Sequence, residues 1–160
     1  MEFTTSDLCD AFGPLVKLAE PIFRDYGGIS RFAGPIETLR VFEDNTLVRE
    51  TLETPGHGRV LVVDGGGSLR CALVGGRLAA LAQANRWSGV LVNGCIRDTA
   101  EIRGIAVGVK ALNTSPRRSG RNGEGARGGT VTFASTTFTP GHFLYADEDG
   151  IVVADRSLIG

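Results

Sequence analysis

At 160 residues, 42% of them hydrophobic and 22% charged, with a formal net charge of -1 at pH 7, the chain is long enough for one well-cored domain over residues 1–160 and short for two. A balance this near neutrality excludes a global field that would draw nucleic acid or an anionic membrane surface. Cys9, Cys71 and Cys95, an odd count at wide and irregular spacing, exclude a disulfide framework or a zinc site and point to reduced, buried thiols in a cytoplasmic protein. No apolar run approaches transmembrane length, and Met1-Glu2-Phe3-Thr4 lacks the basic and apolar regions of a secretion signal.

Thr4-Thr5-Ser6 can cap a short helix carrying Leu8, Cys9 and Phe12 on one side, ended by Gly13-Pro14. Tyr26-Gly27-Gly28 reads as a turn, and Arg31 to Phe42 as a strand broken at Gly34-Pro35. Asp44-Asn45 suits a helix cap, with Leu47, Val48 and Leu52 at helical spacing up to Pro55-Gly56. His57 sits in that stop and reads as a solvated loop residue.

Val60 to Val63 is a buried-strand run that stops at Asp64 and three glycines. A helical pattern follows the pair Gly75-Gly76, with Leu78, Leu81 and Ala82 on one face and Gln83 and Arg86 off it. A second strand run, Val90 to Val92, ends at Asn93-Gly94 and delivers Arg97-Asp98. A short helix through Ile102 and a strand from Ile105 to Leu112 come next. Ser115 to Gly129 is a basic loop, with four arginines against the single acid Glu124, and it lacks aromatic residues for stacking bases. It reads as an interface or mobile loop able to contact an acidic substrate or a neighbouring subunit. The remainder alternates strands and turns: Val131 to Phe133, Phe138, a turn at Pro140-Gly141, His142 to Tyr145, a turn at Asp149-Gly150, and Ile151 to Val153. The fold class is therefore α/β.

The stretch from Asp64 to Glu101 carries the chemistry. The first turn of a helix presents amides without intrahelical partners and the positive end of the peptide dipoles, so its glycine-rich start can receive an anion. A guanidinium offers a planar fork to a carboxylate, and an adjacent carboxylate can hold a hard divalent cation through oxygen. Arg97 and Asp98 supply one of each. The same residues have plainer readings: a surface ion pair, or a helix cap formed by Asp98 with Glu101 three residues on. The Gly65-Gly66-Gly67 segment lacks the spacing and the distant acid of a dinucleotide-binding turn, and Asp147-Glu148-Asp149 reads as a hairpin turn in place of a calcium loop.

The text VLVVDGGGSLRCALVGGRLAALAQANRWSGVLVNGCIRD, with FAGPIETLRVFEDN before it and PGHFLYADEDGIVVAD after it, resembles the RraA-like family, which shares its fold with the class II 4-hydroxy-4-methyl-2-oxoglutarate aldolases. The similarity runs from Thr4 to Asp155, with several separated motifs in family order. It implies a three-layer β/β/α domain of the swivelling, phosphohistidine-like kind, assembled as a homotrimer with the site near the subunit boundary. It further implies that Gly75, Gly76, Arg77 and Leu78 line the substrate through their backbone, that Arg97 binds substrate and that Asp98 holds the metal, Mg²⁺ or Mn²⁺.

The activity implied is a metal-dependent lyase that cleaves 4-hydroxy-4-methyl-2-oxoglutarate into two pyruvates, with oxaloacetate decarboxylation as a side activity because both pass through pyruvate enolate. No further side chain offers itself as a base, which leaves a cation-bound water as the expected proton acceptor. Two positions depart from the family's aldolases. They carry an acid twenty residues before Arg-Asp, where this chain has Gly76, and a C-terminal extension with a further carboxylate that has no counterpart here. The ribonuclease E regulators of the family lack the acid after the arginine, whereas Asp98 is present. The competing expectation is a non-catalytic regulator binding ribonuclease E. A third, a quinone methyltransferase, needs a cofactor loop that the sequence does not display.

Overall fold

Thr4 opens the first helix by accepting a hydrogen bond from the Asp7 amide (3.1 Å) on its hydroxyl, as the capping pattern predicts. The computed structural model describes residues 2–160. In chain order it comprises α1 (Thr5–Phe12), β1 (Lys17–Leu18), β2 (Arg24–Asp25), β3 (Phe32–Arg40), α2 (Thr46–Leu52), β4 (Val60–Asp64), β5 (Ala72–Val74) and α3 (Gly76–Ala84). Next come β6 (Gly89–Ile96), α4 (Thr99–Ile102), β7 (Gly108–Thr114), β8 (Ala126–Arg127), β9 (Val131–Phe133), β10 (Thr136–Phe138), β11 (Phe143–Asp147) and β12 (Gly150–Ala154).

The main sheet runs β1-β12-β11-β3-β4-β6-β7-β2. Its centre, β3-β4-β6-β7, is parallel, and both faces are covered, which is why β4 and β6 are apolar at nearly every position. Alternate residues go to opposite layers. Leu61, Val63, Val90 and Val92 pack against the helices with Val48, Leu78, Ala82 and Ile102. Val60, Val62 and Leu91 pack on the other side with Phe133, Phe138, Leu144 and Ile151, from the β9-β10 hairpin and the β11-β12 pair. The result is the expected β/β/α sandwich of layers, with α1 seated on β11 and β12 through Leu8, Tyr145 and Val152.

β3 differs from its expected form. Gly34-Pro35 does not break it. Phe32 to Pro35 pair antiparallel with β11, and Ile36 to Arg40 pair parallel with β4, so the glycine and proline mark where one strand changes partners. The absent side chain of Gly34 is required there, because a Cβ would press into the Gly58 backbone. The curled sheet is tied across by Lys110 on β7, whose buried Nζ donates to the Asp147 carbonyl on β11 (2.9 Å) and pairs with Asp25 Oδ1 on β2 (3.0 Å).

Smaller corrections concern boundaries. β7 starts at Gly108, not Ile105, and the short β5 and β8 lie in segments that read as turn and loop. All three cysteines are free; Cys71 and Cys95 are buried as expected, but Cys9 is only half-buried. Among the described residues no helix is long and apolar enough to cross a membrane.

Candidate functional site

The parallel strands β5 and β6 end side by side, and the turns leaving them meet at one end of the sheet, the edge where open α/β sheets bind ligands. After β5 the chain turns at Gly75 into α3; after β6 it turns at Arg97 and Asp98 into α4. Arg97 is fixed by its amide, which donates to the Val74 carbonyl (2.9 Å), and by its Nη1, which donates to the Pro116 carbonyl (3.3 Å). Asp98 adopts a left-handed conformation (φ 62°, ψ 44°), one that aspartate tolerates better than most residues. That twist separates Asp98 from the role of cap on its own helix. Its side chain makes no capping bond to α4; instead Oδ2 accepts the Gly76 amide (2.9 Å), the first amide of α3. Oδ1 accepts no hydrogen bond from the described residues.

The sequence-derived candidates thus come together. Gly75, Arg77, Leu78, Arg97 and Asp98 all line one cavity of about 550 Å³. Gly76 is buried beneath it, and its amide faces Asp98, leaving the Arg77 and Leu78 amides as the first-turn donors without a protein acceptor. The two glycines are needed for different reasons. A Cβ on Gly75 would lie 2.8 Å from Asp98 Oδ2 and 3.4 Å from Arg97 Cγ, while one on Gly76 would land on the Glu101 carboxylate.

Other wall residues are ones the sequence does not single out individually, although the basic loop reads as able to contact an acidic substrate. Arg49 reaches the cavity from α2, and Arg118, Ser119 and Arg121 reach it from the basic loop. The loop is fastened over the strand ends: the Ala72 amide donates to the Arg117 carbonyl (2.8 Å), and the Gly120 amide to the Glu43 carbonyl (2.8 Å). Buried Asp44 completes the fastening, accepting the amides of Thr46 (3.0 Å), Asn122 (2.6 Å) and Glu124 (3.4 Å). Burial pushes its carboxyl up, but these amides outweigh that and hold it below the usual carboxylate range. The signal in the sequence is the run Arg117-Arg118-Ser119-Gly120-Arg121, whose lack of aromatic residues argues against nucleic acid and whose charge suits an acidic substrate, without marking which residues reach the cavity. The lining carries five arginines against two carboxylates, Asp98 and Glu101. Such a wall suits a small polyanion, with planar guanidinium forks available for its carboxylates.

The RraA-like (Aldolase/RraA) family model matches residues 5–153. A protein of Alkalilimnicola ehrlichii named "Putative 4-hydroxy-4-methyl-2-oxoglutarate aldolase" is 58% identical to this chain over 159 residues, 99% of each. The crystal structure of a protein from Geobacillus kaustophilus named S-adenosylmethionine:2-dimethylmenaquinone methyltransferase has a TM-score of 0.94 at 49% identity, covering 98% of this chain and 97% of that one. The structure of a Thermus protein named the RNA-processing inhibitor RraA has a TM-score of 0.96 at 46% identity, covering 100% of this chain and 97% of that one.

Proposed function

The chain belongs to the RraA-like family, and from that premise we propose that it is a lyase cleaving 4-hydroxy-4-methyl-2-oxoglutarate into two pyruvates with the help of a divalent cation. The observation that carries this reading is the meeting of Asp98, Arg97 and the α3 start on one arginine-rich cavity. The substrate is a small dicarboxylate with a keto group, and the cavity offers guanidinium groups and two unpaired amides for its carboxylates.

The donor set fits a hard cation of the Mg²⁺ type. Among the described residues no three of His, Cys, Asp and Glu gather to enclose a metal, which disfavours a structural zinc cage. One carboxylate with an open oxygen, Asp98 Oδ1, matches an ion that keeps most of its water and shares its shell with substrate, as Mg²⁺ and Mn²⁺ do. A bound ion, held through Asp98, would supply positive charge to offset the negative charge developing on the enolate. The chain's own groups do the rest. Arg97 orients the keto acid and offsets the negative charge that grows on the enolate oxygen as the C3–C4 bond breaks. The Arg77 and Leu78 amides and the loop arginines bind the carboxylates and fix the reacting bond in place. Oxaloacetate decarboxylation is part of the same proposal, because it produces the same enolate. So is the homotrimer; exposed Phe42 and Leu69, at 54% and 59% accessibility, support a covered face beside the glycine turn.

The test is pyruvate release from 4-hydroxy-4-methyl-2-oxoglutarate with Mg²⁺, with Mn²⁺ and with EDTA. Turnover that EDTA stops, and that Asp98→Asn loses, is the expected result; turnover indifferent to either would refute the assignment. A second reading rests on the 46% identity to a protein named an RNA-processing inhibitor. It is a non-catalytic binder of ribonuclease E, and it predicts no pyruvate release together with a complex detectable by sedimentation.

A further inference from the structure

A second cavity, of about 550 Å³, shares only Arg118 and Ser119 with the first. The glycine turn supplies Arg70 and Cys71 to its wall, and the basic loop supplies Arg117 to Gly120. Glu43 ties the two together. Its carboxylate accepts Arg70 Nε (2.6 Å) and the Ser68 hydroxyl, and its carbonyl accepts the Gly120 amide (2.8 Å). It does so from a left-handed backbone (φ 55°) that few residues with long side chains adopt. The charge inside is unbalanced. Three guanidinium groups stand against one carboxylate, and burial pushes the Cys71 thiol up, so that it stays neutral. Arg70 commits one N–H to Glu43. Its Nη1 and Nη2, and the whole guanidinium groups of Arg117 and Arg118, make no hydrogen bond or ion pair to the described residues.

We propose that this second cavity is a regulatory site for a small dicarboxylate, whose binding weakens that of substrate through Arg118; the coupling, though not the site, rests on the lyase reading above. Planar guanidinium forks match carboxylates in pairs of parallel hydrogen bonds. A diacid parts its two charges, one for Arg70 at the glycine turn and one for Arg117 in the loop, so neither end has to lie against Glu43. A phosphate would gather the same charge at one point beside that carboxylate. The sign of the coupling follows from what is already fixed. Asp44 and the Ala72 and Gly120 amides hold the loop without a ligand. What stays free is the fork of Arg118, a single guanidinium on the wall of two cavities. An anion in the second cavity draws it from the first and repels the anion bound there. By linkage, substrate weakens the diacid by the same factor.

Succinate, a diacid without a keto group, is the probe, titrated into the protein by calorimetry and then added to the pyruvate assay. Arg97→Gln, on the first wall, should leave succinate affinity within about threefold. Arg70→Gln combined with Arg117→Gln, both outside the first wall, should weaken it by about 10- to 100-fold. Arg117→Gln alone, which removes no hydrogen bond or ion pair of the fold, should give part of that loss at an unchanged Tm. In the assay, succinate should raise KM to a plateau of about fivefold and leave kcat within about twofold. A diacid competing inside the first cavity gives no plateau. The double variant should keep the KM measured without succinate and lose the plateau. Succinate binding lost in Arg97→Gln and kept in the double variant would overturn the site, and inorganic phosphate binding as tightly as succinate would overturn the ligand class. A KM unmoved by saturating succinate would overturn the coupling. A wild-type protein that releases no pyruvate sinks the lyase reading instead, and the calorimetry still decides the site.

Discussion

Asp147 and Asp98 each stand at the end of a strand in the same sheet, and the protein surrounds them in opposite ways. Asp147 is buried; its carboxylate accepts the Thr5 amide (2.8 Å), the Thr5 hydroxyl (2.7 Å) and the Asp149 amide (3.0 Å), and its carbonyl accepts Lys110 Nζ. Asp98 is exposed and accepts one amide, and Glu101 beside it accepts none. A carboxylate whose lone pairs are all answered by the chain holds the chain together and has nothing left for a ligand. One left open at the rim of a cavity gives little to stability and is available for chemistry. Asp44, with its three amides, falls with Asp147: it positions the loop arginines without touching what they bind.

The sharpest break of this contrast is Asp98→Asn. Asparagine tolerates the left-handed backbone and can keep the bond from the Gly76 amide through its Oδ1. Folding should therefore be nearly unchanged, with Tm within about 2 °C. Loss of the charge that would hold the cation should lower pyruvate formation by about 10³-fold, or about 4 kcal/mol in transition-state stabilisation. Asp147→Ala should do the reverse. It strands the buried Thr5 amide and hydroxyl, costing about 3 kcal/mol, or roughly 6–12 °C in Tm, while kcat per folded molecule stays within about twofold. Equal effects of the two substitutions on both measurements would erase the distinction.

Acid sharpens it further. Burial raises the Asp147 carboxyl, but the Thr5 hydroxyl and amide, the Asp149 amide and the Arg31 charge together hold it below the usual range; Asp44 is lowered in the same sense by its amides. A folded-state value below the unfolded one means these groups contribute stability that is complete above the ordinary aspartate value of about 3.9 and is lost as pH falls through the lowered folded value. Denaturant midpoints measured from pH 6 down to pH 2.5 should fall in that window. Combining Asp44→Asn with Asp147→Asn should flatten the fall, at the expense of lower stability at pH 6. A slope unaltered in the double variant would assign the acid response elsewhere.

How far the sequence reaches obeys the same division. β4 and β6 are legible as apolar runs, and α3 as a helix behind two glycines, because burial on both faces of a sheet and on one face of a helix leaves periodic marks. Arg97 and Asp98 stand out as adjacent opposite charges just after a strand, although they form no ion pair with each other: Arg97 donates to the Pro116 carbonyl and Asp98 accepts the Gly76 amide. Partner exchange in β3 is invisible, since Gly34-Pro35 carries the same punctuation whether a strand ends or merely changes neighbours. β5 is too short to show a period. Arg49, Arg118 and Arg121 are brought to the cavity by tertiary hydrogen bonds, chiefly those of Asp44, that no local pattern announces. Glu101 was legible only as half of a capping box, and the left-handed turn at Asp98 is what cancels that role.

Gly76→Ala probes the open side of the contrast most finely. Alanine is the better helix former, by up to about 1 kcal/mol in a helix interior and less at the first position, so Tm should hold or rise slightly. The new methyl group falls where the Glu101 carboxylate lies. That carboxylate ends a flexible, exposed side chain with no hydrogen bond to hold it, so it yields by rotating away, and the backbone does not. Displacing one of the two carboxylates of the cavity wall should lower kcat by about tenfold, equivalent to about 1.4 kcal/mol. Gly75→Ala makes the opposite intrusion, 2.8 Å from Asp98 Oδ2, and should weaken Mn²⁺ binding as well as turnover. If both alanine variants leave turnover unchanged, the two open carboxylates of the wall do not serve the reaction from where the structure places them.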